Sequence, residues 1–126
     1  MIGYIHSIAI VVSDQDKALD FYVNTLGWEK AMDSPMGHGM RWLTVVPPGA
    51  NTQLALTPPS WYTGDYEGQT PSKYGISLVT ADLDATYETL KAKGVKFKNP
   101  PEIMPWGAKA AWFYDPDGNE FFVVND

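Results

Sequence analysis

The chain contains no cysteine, which excludes disulfide bridges, thiolate metal ligands and a cysteine nucleophile. Histidine is nearly as scarce, with only His6 and His38, so an imidazole-rich metal cluster is poorly supplied. Basic residues are few as well. Nine stand against 15 acidic ones, and the formal charge of −6 opposes non-specific attraction to nucleic acid or anionic lipid. Neither is an expected partner. No apolar run reaches the length of a membrane span. The stretch MIGYIHSIAIVV has strand length and lacks the basic n-region and small-residue cleavage site of a signal peptide. A soluble, cytoplasmic protein is the expectation. Nucleophile motifs and phosphate loops are missing too, because Gly37-His38-Gly39 lacks the strand-to-helix setting that phosphate binding needs.

What the chain does have is length and aromatic rings. Its 126 residues suffice for one domain, able to bury roughly two thirds of its unfolded surface without a staple. Five tryptophans and seven tyrosines exceed what a core of this size requires, so some are expected in a binding cleft or an interface.

The sequence is also written twice. SIAIVVSDQDKALDFYVNTLGWE, from Ser7, matches GISLVTADLDATYETLKAKGVKF, from Gly75. Each copy has a β-rich run, an Asp-x-Asp, a helix with apolar residues at three-to-four spacing, and a closing glycine. Ala18, Phe21, Tyr22 and Leu26 mark the first helix, and Leu83, Tyr87 and Leu90 the second. Asp14 and Asp82 are placed to cap them, and Gly27 and Gly94 to end them. VPPGANTQLALT, from Val46, lies on FYDPDGNEFFVV, from Phe113, each a turn leading into a strand. Between helix and turn there is room for two short strands per copy, around 29–33 and 41–46, then 95–99 and 108–114. The expected class is therefore α+β, two tandem β-α-β-β-β modules: module one about 1–57, connector 58–73, module two 74–126.

A duplicated unit with DQDKALDFYVNTLGW after the first strand and DPDGNEFFVV at the end resembles the vicinal oxygen chelate superfamily, which includes glyoxalase I, bleomycin-resistance proteins and extradiol dioxygenases. The resemblance covers nearly the whole chain. It implies one domain over 1–126 whose eight strands form a curved cup, with helices outside and a ligand cavity inside. It also implies a two-fold homodimer, the commonest oligomer of soluble proteins. In metal-dependent members, four cavity positions carry His or Glu ligands. By spacing from the helices and turns these fall at Ser7, Ala55, Gly75 and Phe122, none of them an imidazole or carboxylate. No metal cofactor is expected there.

Strand parity supports this register, because side chains alternate faces with period two. With those four positions inward, the opposite faces hold Ile8, Ile10 and Val12, Leu54 and Leu56, Ile76 and Leu78, and Phe121 and Val123, the stripes needed under two helices. The cavity face then shows Ala9, Gln53, Thr57, Ser77, Glu120 and Phe122. His6 falls on the helix side. A bulge at Ser7 would turn it inward to join Gln53 and Glu120 as a weak divalent-cation site.

Metal-free members of the superfamily include drug-sequestering proteins that hold a flat ligand between aromatic rings. Trp112 shares the cavity parity, Trp106 precedes its strand, and Trp61, Tyr62 and Tyr66 occupy the connector. Arg41, if inward, would pair with a ligand carboxylate. The expected ligand-binding set is Ser7, Arg41, Gln53, Ala55, Trp61, Gly75, Ser77, Trp106, Trp112, Glu120 and Phe122. The first functional reading is metal-free binding of a small planar organic molecule. The alternative is a lyase, isomerase or dioxygenase of the same superfamily, with an atypical divalent-metal site or with Glu120 as general base.

Overall fold

Two aspartates start the main helices of this computed structural model, which describes residues 1–62 and 73–126. Asp14 is extended, and its carboxylate accepts the amides of Asp16 and Lys17 at 2.9 and 3.1 Å, opening α1, Gln15–Asp20. Asp82 accepts the amide of Ala85 at 3.1 Å and opens α2, Leu83–Ala92. A carboxylate at these ends satisfies donors that have no intrahelical partner and meets the positive end of the helix dipole. Among the described residues, no helix is long and apolar enough to cross a membrane.

The fold is mixed α+β, with two sheets and few helices, and the chain divides into two units, Met1–Thr70 and Pro71–Asp126. In the first unit β1 (Ser7–Val11) precedes α1, which widens into a π-helical turn over Phe21–Thr25. Then come β2 (Glu29–Gly37), β3 (Met40–Val46) and β4 (Gln53–Thr57), giving the sheet order β1-β4-β3-β2. β1 runs parallel to β4, and the other pairs are antiparallel. Ile10, Val12, Leu43, Val45, Leu54 and Leu56 are buried, as are Ala18, Phe21 and Tyr22 of the helix. Each large side chain fully removed from water contributes roughly 1.5–3 kcal/mol. This sheet and helix therefore hold one another.

β2 runs four residues beyond the expected 29–33. A two-residue turn at His38 and Gly39, both with positive φ, carries the hairpin outward. Pro35 is tolerated because β2 lies at the sheet edge, where a missing amide donor leaves no ladder bond unmade. His38 is thus an exposed turn residue.

In the second unit β5 (Lys73–Thr80) precedes α2, followed by β6 (Lys96–Phe97), β7 (Glu102–Ile103), β8 (Lys109–Tyr114) and β9 (Glu120–Asn125). The order is β5-β9-β8-β6, with β7 also pairing β8. Among the described residues there are nine strands, where eight were expected. Pro100 and Pro101 cannot donate to a ladder, so the strand expected at 95–99 is cut to two residues and pairing resumes after the prolines. Tyr87, Phe97, Phe113 and Phe121 make a chain of ring contacts on the helix side, with centroids 4.8, 5.7 and 5.4 Å apart. The carboxamide oxygen of Asn125 accepts the Leu83 amide at 2.7 Å, tying the start of α2 to the last strand.

Candidate functional site

With the helix side of the second sheet filled by those rings, alternation turns the neighbouring residues to the other face. Cross-strand pairing sets Ser77 beside Phe122, and Phe122 opposite Trp112. The Lys98 amide donates to the Trp112 carbonyl at 2.9 Å, extending the row by one strand. Ser77 on β5, Phe122 on β9, Trp112 on β8 and Lys98, the residue just after β6, thus lie side by side. In the next row Glu120 faces Tyr114.

The rings in the first row touch. The Trp112 and Phe122 centroids are 4.9 Å apart at 55°, and Trp106 lies 6.4 Å from Phe122 at 50°. These are tilted contacts of the kind aromatic quadrupoles favour. Trp106 is held over the sheet by a turn in which the Gly107 amide donates to the Met104 carbonyl at 2.8 Å, while the Met104 side chain is buried. The Trp106 ring is 68% exposed, a large cost-bearing surface for a residue with no core role. The Lys98 ammonium stands 5.4 Å over the Trp112 ring. Tyr114 has its hydroxyl pKa pushed up, first by burial and then by the charge and hydrogen bond of Glu120. Glu120 is therefore engaged with Tyr114 rather than standing alone.

In the first sheet Ala55 is opposite Ala9 and Thr44, and Ser7 is opposite Gln53. Ala55 and Thr44 are fully buried. The Thr44 hydroxyl donates to the Gln53 side-chain oxygen at 2.7 Å. Thr44 is the partner of Ala55 as Trp112 is of Phe122, so the hairpins match one residue away from the alignment by sequence. The cause is the turn, 47–52 in the first hairpin and 115–119 in the second. Sequence reasoning therefore missed Thr44. Lys98 and Tyr114 were missed as well, although strand parity counted outward from Phe97 and Trp112 puts both on the open face.

Arg41 is a correction. Its neighbours by parity are the buried Leu43 and Val45, so it lies on the helix face, where it donates to both oxygens of Asp33 at 3.0 Å and to Asp16 at 2.6 Å. Asp33 is held below its usual carboxylate pKa, chiefly by that hydrogen bond. Arg41 is therefore committed within the first unit. Trp61 also has a partner there: it stacks on Trp42 with centroids 6.3 Å apart at 2°, and its indole N–H points to the Met40 sulfur at 2.9 Å. Tyr66 lies outside the described residues.

The four positions where the superfamily's metal ligands fall offer one hydroxyl, a methyl group, a glycine and a phenyl ring. They do not fit a divalent ion. At Gly75 the strand itself departs from regular pairing, with φ of 70° and a register break between Lys73 and Ile76. An L side chain there would be strained although nothing crowds it. Of the residues considered for a weak cation site, His6, Gln53 and Glu120, His6 is exposed and its carbonyl, not its ring, meets the Gln53 amide at 2.8 Å. Among the described residues, no group of three His, Cys, Asp or Glu could hold a metal. A surface depression of about 390 Å³ beside Leu19, Val23 and Lys30 is walled by solvated helix side chains and offers no ring to stack on.

Comparison with known proteins agrees with this layout. The family model described as the Glyoxalase/Bleomycin resistance protein/Dioxygenase superfamily matches residues 4–123. A crystal structure of a member of that superfamily from Sphaerobacter thermophilus is 58% identical, with a TM-score of 0.92, over 99% of this chain and 98% of that one. TnmS3, an antibiotic binding protein from Streptomyces sp. CB03234, is 38% identical, with a TM-score of 0.83, over 98% of this chain and 96% of its own. YetH, an uncharacterized protein of Bacillus subtilis, is 37% identical over 123 residues, 98% of each chain.

Proposed function

The chain belongs to the glyoxalase/bleomycin resistance protein/dioxygenase superfamily, and from that premise we propose that it binds a small planar organic molecule on the Trp112–Phe122–Trp106 face without a resident metal. The observation that carries this reading is the phenyl ring at Phe122. A metal-ligand position is filled by an apolar ring in contact with two indoles, which replaces ion coordination with a stacking surface. A relative at 38% identity that binds an antibiotic supports the same class of ligand. The alternative, catalysis through Glu120, has less support, since the carboxylate is taken up by the Tyr114 hydroxyl. A two-fold homodimer belongs to the same proposal, supported by the exposed apolar residues Ile2, Tyr4 and Ile5 next to the edge strand β1.

The test is a titration of tryptophan fluorescence with an anthraquinone carboxamide, using protein stripped with a chelator. Saturable quenching is expected, and Trp112→Ala is expected to weaken binding by about 1–3 kcal/mol through lost stacking and apolar burial. Protein purified without chelator should carry far less than one transition-metal ion per chain. Stoichiometric zinc, nickel or iron, lost together with binding in His6→Ala, would refute the proposal.

A further inference from the structure

We propose that the molecule held on this face is a planar aromatic anion whose acidic group is recognised by Lys98. The inference rests on the binding reading above and adds the ligand's charge.

The row Ser77, Phe122, Trp112, Lys98 has a hydroxyl at one end, two rings in the middle and an ammonium at the other. It spans three interstrand spacings, about 14 Å, the length of a fused ring system rather than of a single ring. Among the described residues, no ion pair uses Lys98; the pairs formed there involve Lys30, Arg41 and Lys109. The carboxylates that share its face are occupied or in other rows. Glu120 lies with Tyr114, and Glu102 lies opposite Ala110. The ammonium is instead positioned over the Trp112 ring.

Ligand chemistry follows from that position. A neutral ring stacked on Trp112 would push the ammonium aside or cover it, taking water from a charge and returning no counter-charge. A cationic ring would add repulsion. A carboxylate or phenolate at the ring edge supplies the missing counter-charge and gains a charge-assisted hydrogen bond. Lys98 thus acts as a discriminating group, penalising neutral ligands as well as attracting anionic ones.

Calorimetric titration with an anthraquinone carboxylate and the matching carboxamide separates the outcomes. The acid is expected to bind about tenfold tighter than the amide, as one charge-assisted contact provides. Lys98→Met should erase that ratio and Lys98→Arg should keep it. Lys91→Met, which removes the same charge from α2, should leave it unchanged. Equal affinities in the native protein, or a ratio that survives Lys98→Met, would overturn the inference while leaving the binding reading intact. If neither compound binds, both fall.

Discussion

Alanine at Phe121 is expected to cost the fold about 3–5 kcal/mol, and alanine at the adjacent Phe122 only on the order of 1 kcal/mol. The two differ in face, not in chemistry. Phe121 is 1% exposed, stacks on Phe113 and closes the ring chain beneath α2, so its removal leaves a cavity that rigid neighbours cannot fill. Phe122 is half-buried, and its ring contacts among the described residues are with the two indoles of the open face. Urea denaturation should show a large drop in midpoint for Phe121→Ala and a small one for Phe122→Ala, with similar slopes. Ligand binding should fall in Phe122→Ala without matching loss of stability. Equal stability losses would mean that β9 does not present these residues as described.

Alanine at Asp115 is expected to destabilise the protein by roughly 2–4 kcal/mol, a large effect for a turn residue. Asp115 is buried, and one carboxylate oxygen accepts the amides of Asp117 and Asn119 at 2.9 and 2.8 Å. The other accepts the Asn119 side-chain N–H at 2.8 Å. Truncation leaves three donors to find other partners, two of them on the buried Asn119. Asp115→Asn keeps one acceptor oxygen and should cost less. A thermal melt that moves by less than one or two degrees in Asp115→Ala would contradict this account. Because this turn starts β9, the variant should also weaken ligand binding through displacement of Phe122.

Much of the scaffold could be read before the structure was seen, because its signals are local. Asp14 and Asp82 each sit one step before their helix, and each caps it through the backbone amides that follow. The alternation of Phe121 and Phe122 gave the faces of β9, since a period of two leaves no other choice once Val123 is inward to the helix. What escaped depended on counting across space. The extra residue in the first turn shifts pairing by one, which put Thr44 rather than Val45 opposite Ala55. A turn can absorb a residue without any change in hydrophobic pattern, so the sequence carries no trace of it. Arg41 was misplaced for a related reason. Its parity with Leu43 was legible, but its partners Asp33 and Asp16 are eight and 25 residues away. Lys98 was overlooked because one of the four lysines in 91–98 looks like any other solvated residue until the ring beneath it is known.

The claim that the second sheet's open face is a stacking site is tested most directly by the indole N–H signals of the five tryptophans in a nitrogen–proton correlation spectrum. Each tryptophan is assigned by substitution, and an anthraquinone carboxylate is added to chelator-treated protein. The resonances of Trp106 and Trp112 should move together and saturate, while that of Trp28, packed on Tyr22 with centroids 5.5 Å apart, should stay in place. A spectrum in which Trp106 and Trp112 do not move while the ligand binds, or in which they move only after a divalent metal is restored, would contradict the account.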